Sequence, residues 1–383
     1  MKAKTILSIF TALILLLLIG AISVSASVSD LPVAAEGILS STELFTERDL
    51  EQQPDTTGAR SIVVKDSDEI RITEEGIYVL SGTASGAVIY VEADKEDKIQ
   101  LVLDSLSISN NTFPCIYILS ADKVFITTVS DSSLSVSGTF ISDGDTNTDG
   151  VIFSKDDLVL NGTGTLTISS TDNGIVCKDD LKITGGSYVI DAASKCLEAN
   201  DSIRIADGTF VLTAGTDGLH AENDDDDSLG YIYLCGGEFT INAGDDAIHA
   251  ESVLQIDEGT FSISGAEGLE ATYIQINGGS IDIQSWDDGV NAANKSGSYR
   301  TTFEMNAGEL SVSMGSGDTD GIDSNGDLYI NGGTISVNAS SPFDCDGAAQ
   351  YNGGSVIVNG EQVDYLPMQQ GGGGGSRGGR GGW

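Results

Sequence analysis

A short turn phrase, an acidic residue followed by Gly and an aliphatic residue, returns along this chain about every 21 to 22 residues where no insertion intervenes. It reads Asp149-Gly150-Val151, Asn173-Gly174-Ile175, Asp217-Gly218-Leu219, Asp246-Ala247-Ile248, Glu267-Gly268-Leu269, Asp288-Gly289-Val290 and Asp320-Gly321-Ile322, with Asn and Ala as single variations. A fixed period of this length predicts a solenoid of stacked coils, in which residues far apart in sequence become neighbours in space. Here the stacking would align acidic side chains.

Between Ile62 and Asn359 short β-rich runs alternate with Gly, Asn and Asp, and no amphipathic helical period occurs. Three runs fit one repeat: Leu219-His220-Ala221, then Tyr231 to Leu234, then Phe239-Thr240-Ile241. The next repeat gives Ile248-His249-Ala250, Leu254-Gln255-Ile256 and Phe261-Ser262-Ile263. Gly185-Gly186, Asp207-Gly208, Gly236-Gly237, Glu258-Gly259, Gly278-Gly279, Gly332-Gly333 and Gly353-Gly354 fall between the second and third runs, where a corner needs positive φ. The reading is all-β: a single-stranded parallel β-helix with three strands per coil. A leucine-rich repeat is excluded because its Leu and Asn frame is missing. Insertions at 223–230 and 294–302 interrupt the period after the first run, so they are expected to project from one face as a rim.

The boundaries expected are a signal peptide at 1–26, a linker and N-terminal cap at 27–60, the β-helix at 61–365 and a Gly-rich flexible tail at 366–383. Lys2 and Lys4 precede an apolar run from Ile6 to Ile22 and then Val24-Ser25-Ala26, the order of a secretory signal, with retention as an anchor the alternative. The mature protein is therefore expected to be secreted, without stable membrane insertion, and the tail is a candidate for cell-surface attachment. Five cysteines without a CxxC pair argue against a zinc knuckle and a complete disulfide framework, and favour small buried side chains.

A formal charge of −40 with only 18 Lys and Arg excludes nucleic acid and anionic membranes as partners, since both are held by basic groups. Cations are the expected partners. With coils about 4.8 Å apart, two polar columns form. The corner column holds Asp217, Asp246, Glu267, Asp288 and Asp320, with Asp245 and Asp287 one place earlier. A second column, one residue past the aliphatic, holds Glu198, His220, His249, Glu270, Asn291, Asp323 and Asp344, and alternation points it outward. Stacked carboxylates repel unless neutralised. Ca²⁺, which takes six to eight oxygens, fits between adjacent coils; the plain alternative is that these acids cap turns by accepting backbone N–H bonds. The candidate metal ligands are Glu198, Asp217, Asp245, Asp246, Glu267, Glu270, Asp287, Asp288, Asp320 and Asp323.

His220 and His249, in adjacent coils, are either solvated surface groups, transition-metal ligands or donors to sugar hydroxyls. Trp286 stands at a corner where neighbouring coils have Gly, so it either stacks on a sugar ring or covers the following loop. With Asn291, these complete the candidate substrate-binding set.

The phrases Asp217-Gly218-Leu219-His220-Ala221 and Asp246-Ala247-Ile248-His249-Ala250, with the Gly-Gly corners and the Gly-rich end, resemble the secreted carbohydrate-binding β-helix family with a pectate-lyase-like fold. The resemblance covers roughly residues 61 to 365. It implies a right-handed helix, calcium along it, ligation by the corner acids, and binding of acidic polysaccharides such as polygalacturonate, and of cellulose. The pattern departs at Lys195-Cys196-Leu197 and Pro342-Phe343, and the carry-over stops at those coils. The rival is a calcium-dependent lyase, which needs a basic residue beside the metal; Lys178, Arg204, Lys295 and Arg300 are the candidates, none of them in the acidic column. A calcium-stiffened structural surface protein is the third reading.

Overall fold

The structure, a computed structural model, describes residues 37–39, 44–315 and 319–368. The expected signal peptide and residues 369–383 of the expected tail lie outside them. No helix occurs among the elements of the described residues, and the strands pair almost entirely in parallel. Away from the ends of the rows, each strand bonds to one from the repeat before it and one from the repeat after it, and Glu361–Val363 folds back antiparallel onto Ser355–Val358.

Three rows result, an arrangement compatible with a parallel β-helix. The first row is a sheet of 12 strands, from Glu69–Ile72 through Asn173–Cys177, Leu197–Ala199, Leu219–Ala221, Asp246–Ala250, Glu267–Ala271, Val290–Ala292 and Asp320–Ser324 to Ser341–Cys345. The second and third rows belong to a 22-stranded sheet because some strands run through the corner between them. Tyr231–Ala243 and Val253–Gly265 do so, with register shifts at Leu234/Cys235 and Cys235/Glu238. Their second and third runs, expected as separate strands, are thus one bulged strand each. The Gly corners make the bend possible. Gly237 takes φ +100° and a Cβ there would lie 3.0 Å from the Phe239 ring, while Gly259 takes φ +123° with Phe261 at 2.8 Å.

Those rings belong to a column inside the third row. Tyr188, Phe210, Phe239 and Phe261 stack face to face at centroid distances of 5.2, 4.6 and 4.6 Å, all buried. The alternating burial of strands such as Thr209–Ala214 follows from this, with Phe210, Leu212 and Ala214 inward and Thr209, Val211 and Thr213 outward. The same register produces an asparagine column at the second corner. Asn352, Asn331 and Asn306 each donate from Nδ2 to the Oδ1 of the asparagine one coil back, ending on Asn277, at 2.8 Å each time. All five cysteines are unbridged, and Cys115, Cys177, Cys196 and Cys235 are buried.

Of the segment expected as linker and cap, the described residues 37–39 and 44–52 lie against the second row. The amides of Ile38 and Leu39 donate to Gln275 Oε1 (3.2 Å) and Gln255 Oε1 (2.7 Å), and Phe45 packs beside Tyr233. Gln52 accepts from Gly162 N–H and donates to Thr184 O. Asp49 is fully buried, 3.6 Å from Lys123 Nζ and 3.7 Å from Lys182 Nζ. The reason is local: the outward side chains of this row include Tyr233, which needs covering, and polar groups that offer the strap its hydrogen bonds.

The acid-Gly-aliphatic phrase, with its Asn and Ala variations, opens seven of the 12 strands of the first row. Its Gly serves close approach, not a turn: a Cβ on Gly218 would meet Ala247 O at 2.5 Å, and one on Gly268 would meet Gly289 O at 2.4 Å. At these two positions the missing Cβ lets the neighbouring backbone come close, while Cys196, Ala247 and Pro342 fill the same place in their own coils. Leu219, Ile248, Leu269, Val290 and Ile322 then align in the core.

Candidate binding site

The first row brings the second column together in register. Glu198 pairs with His220, His220 with His249, His249 with Glu270, Glu270 with Asn291, Asn291 with Asp323 and Asp323 with Asp344. The corner acids stack beside it, with Asp246 opposite Glu267. Asp217 Oδ1 accepts from the Asp246 amide (3.2 Å) and Asp288 Oδ1 from the Asp320 amide (3.0 Å). Corner capping of backbone amides is therefore present at Asp217 and Asp288, each through one carboxylate oxygen. Asp245 and Asp287 are exposed at the rim.

The outward column is not an open stripe. His220, His249 and Glu270 are buried, and Glu198, Asn291 and Asp323 are half-buried. The imidazoles of His220 and His249 stack on each other, 4.6 Å apart and 16° from parallel, so their faces are taken up by each other. The two rings are therefore a buried, stacked pair and not two separate solvated groups. Buried polar groups need partners, and the protein supplies them unevenly along the column.

At the upstream end Glu198 receives Lys178 Nζ (3.1 Å), Lys195 Nζ (3.6 Å) and Asn173 Nδ2 (3.1 Å). In the middle His249 Nδ1 lies 2.9 Å from Asp246 and 2.7 Å from Glu270, whose other oxygen meets Lys295 Nζ at 2.8 Å. His220 Nδ1 lies 2.8 Å from Asp217, off the line of a well-formed hydrogen bond, and its Nε2 is 3.1 Å from Glu222. Downstream the pattern changes: among the described residues no basic side chain pairs with Asp288 or Asp323.

The titration behaviour divides the same way. Burial would raise Glu198, Asp217 and Glu270, but Lys178 and Lys195, His220, and His249 with Lys295 outweigh it and hold all three below the carboxylate range. Burial would depress His249, yet its bonds to Asp246 and Glu270 lift it to about 9. Asp246, buried and facing the Glu270 charge, is pushed upward. Downstream the adverse influences prevail over the hydrogen bonds from the Asp320 amide to Asp288 and from Asn291 to Glu267. Burial and then Glu270 drive Glu267 to about 8; burial with Asp287 and Asp320 drives Asp288 to about 6; burial with Asp288, Asp320, Asp344 and Asp346 drives Asp323 to about 7.

Asn291 sits where the two halves meet. Its Nδ2 donates to Glu267 (3.0 Å) and Glu270 (3.3 Å), and its Oδ1 is buried without a hydrogen-bond donor. An acceptor oxygen left without a donor, next to carboxylates held above their ordinary pKa, is what an oxygen-seeking cation would complete.

The two insertions border the other end of these strands and touch each other: Ser296 Oγ donates to Asp227 O, and the Gly297 amide reaches Asp227 Oδ2 at 3.3 Å. Lys295 enters the site from this rim. Trp286 is 52% exposed at the corner next to Asp287 and Asp288, so its ring is accessible there.

Sequence reasoning weighed Lys178 and Lys295 as bases and missed them, with Lys195 and Glu222, as partners of the column. Their positions carry the signal: Lys178 and Glu222 each follow the last residue of a first-row strand, and Lys195 precedes Glu198 by three. It also missed a second acidic pair at the next corner. Burial and the neighbouring Asp201 raise Asp179 to about 6, while Asn223 Nδ2 donates to Asp201 at 2.7 Å.

Stacked parallel strands that present a continuous line of polar side chains along one row define an extended binding face built by repetition. The chain belongs to the family described as carbohydrate-binding domain-containing protein, whose profile matches residues 66–319 and, in a second overlapping match, 266–364. A protein of that description from Acetivibrio thermocellus is 36% identical over 129 residues, 32% of this chain; the match spans 45% of that relative's length. Among solved structures, a polysaccharide lyase-like protein from C. thermocellum, studied as a gadolinium derivative, is similar at 30% identity with a TM-score of 0.50. The match covers 58% of this chain and 93% of that one.

Proposed function

We propose that this chain is a secreted, non-catalytic carbohydrate-binding protein whose three rows form a right-handed parallel β-helix with a pectate-lyase-like course. It takes acidic polysaccharides of the polygalacturonate type, with cellulose a further candidate, on the face made by the corner acids and the second column. The observation that carries the reading is the division of that column: the upstream carboxylates have Lys and His partners, whereas Asp288 and Asp323 face other carboxylates.

Asp288, Asp320 and Asp323, with Glu267 and the Asn291 Oδ1, would hold Ca²⁺; these are hard oxygen donors in adjacent coils, the donor type this ion requires. When bound, the ion supplies open coordination positions for uronate oxygens. Trp286 beside the acids offers an exposed ring for sugar stacking. A linear polymer matches a linear series of such positions.

The lyase reading needs a free base, and the four candidates are all committed. Lys178 pairs with Glu198, Arg204 forks onto Asp180 at 2.7 Å through both oxygens, Arg300 pairs with Asp327 and Lys295 pairs with Glu270. Burial would lower Lys295, but Glu270 outweighs it and keeps the amine charged. A protonated amine holds a carboxylate; it does not remove a proton from carbon.

The test is co-sedimentation with polygalacturonate in Ca²⁺ and in chelator, with absorbance of unsaturated product followed in parallel. Retention that depends on Ca²⁺ and yields no product supports binding. Accumulating product would establish the lyase, and calcium uptake without retention would favour the structural rod.

A further inference from the structure

The histidine pair lies in the half of the column that supplies its own counter-charges, and its geometry is that of a nitrogen-donor metal site. His220 and His249 each have a corner acid three residues earlier, Asp217 and Asp246, within 2.8 and 2.9 Å of Nδ1. A carboxylate beside Nδ1 keeps a proton on that nitrogen and leaves Nε2 as the atom that meets an ion, its own proton being displaced when the ion binds, as in metal-bound histidines oriented by an outer carboxylate. Because the rings are nearly parallel and both Nδ1 atoms face their own corner, the two Nε2 edges point the same way. Glu222, with about half of its side chain exposed, meets the His220 Nε2 at 3.1 Å. Potential ligand atoms of His220, Glu222 and His249 all lie within 4.8 Å of one another.

We infer that His220, His249 and Glu222 form a site for a borderline divalent transition ion, for which Zn²⁺ is the natural probe, separate from any oxygen-ligated calcium. Two imidazoles and one carboxylate are the donor set such ions select and one that Ca²⁺ does not. Donors about 2.0–2.2 Å from a tetrahedral ion stand roughly 3.4 Å apart, so the trio closes by side-chain tilts alone. A fourth position opens toward a cavity of about 160 Å³ lined by the same His220 and Glu222 with Glu198, Lys178, Lys195 and Asp224. The two lysines in that lining turn to Glu198, leaving Glu222 to face the imidazole. The net charge of −40 draws any divalent ion toward the protein.

The experiment uses the full, tag-free chain, stripped by chelator and titrated with Zn²⁺ at pH 7.5 in millimolar Ca²⁺, by calorimetry and by visible absorbance of a Co²⁺ replacement. One saturable ion per chain is expected, with Co²⁺ bands of low-coordinate nitrogen ligation. His220→Ala should weaken binding by about 100-fold and Glu222→Gln by about 10-fold. Glu222 is half-exposed, so its variant keeps the test decisive should the histidine variant misfold. Absence of saturable uptake in Ca²⁺, or uptake unchanged by either substitution, overturns the inference. The assay contains no polysaccharide, so its outcome is independent of the carbohydrate reading.

Discussion

His249 Nδ1 stands 2.9 Å from the Asp246 carboxylate of its own coil and 2.7 Å from the Glu270 carboxylate of the next, so one imidazole ties two rungs of an acidic ladder. His249→Ala would leave two buried carboxylates facing each other across the gap. Loss of one partner from a buried ionic cluster typically costs roughly 3–5 kcal/mol, and Lys295 on Glu270 should reduce this to about 2–4 kcal/mol. Urea unfolding at pH 7 in chelator measures it. A loss under about 0.5 kcal/mol would show that the tie contributes nothing.

The downstream acids predict an unusual pH profile for the metal-free protein. Asp288, Asp323 and Glu267 have pKa values raised to about 6, 7 and 8, above those of the unfolded chain near 4. Their contribution to stability is complete below about pH 4 and is lost as pH rises through 6 to 8. Glu198, Asp217 and Glu270 are depressed, so their contribution is present above about pH 4.5 and vanishes toward pH 2. Thermal unfolding in chelator should therefore show maximal stability near pH 5 and a falling Tm from pH 5.5 to 8.5. Millimolar Ca²⁺ should flatten the alkaline limb. A metal-free Tm that climbs between pH 5 and 8 would contradict this balance of charges.

Asp323→Asn should act with opposite sign in the two conditions. Without metal it removes a like charge beside Asp288, Asp320 and Asp344 and should stabilise by up to about 1 kcal/mol. With Ca²⁺ it removes a ligand oxygen and should weaken calcium affinity at least about 10-fold. Matched Tm and calorimetric measurements decide, and destabilisation in both conditions would mean that Asp323 is a packing residue.

The stacked rings carry a separate prediction. Phe239 lies between Phe210 and Phe261 at 4.6 Å on each side, so Phe239→Ala opens a cavity in the middle of the column and should cost about 3–5 kcal/mol. Gly237→Ala places a methyl 3.0 Å from the same ring at φ +100° and should cost about 1–3 kcal/mol. Chemical denaturation of the two variants tests both, and a Gly237→Ala protein as stable as the parent would show that the corner relaxes freely.

The period explains why the column was legible and its environment was not. Asp246, Glu267 and Asp288 are 21 residues apart, so the strand register, and with it the alignment of Glu198, His220, His249, Glu270, Asn291 and Asp323, follows from counting. Burial of His220 and His249 does not follow from counting, because it depends on the irregular parts. Lys295 comes from an insertion, Lys178 from a turn, and the strap that seals the second row reaches Gln255 from Leu39. Local alternation told inside from outside; what covers the outside is decided by segments without a period. The fused strands at Tyr231–Ala243 and Val253–Gly265 show the same limit, since Gly236-Gly237 and Glu258-Gly259 mark a bend in the chain whether or not the ladder is interrupted there.

Lys295 offers the sharpest separation of binding from catalysis. Its Nζ is 2.8 Å from Glu270 and its pKa is held above the ordinary lysine value, mainly against burial and through that carboxylate. In a binding protein its duty is to neutralise Glu270, so Lys295→Gln should lower stability modestly, by about 1–2 kcal/mol, and leave calcium-dependent retention on polygalacturonate within about 3-fold. No unsaturated product should form with either protein at any pH from 6 to 10, because raising pH to free the amine also ionises the acids that would have to share the site. Product formed by the parent in alkaline Ca²⁺ and abolished in Lys295→Gln would instead make Lys295 the base of a lyase, since loss of a counter-ion alone cannot remove a reaction while sparing the bound polymer.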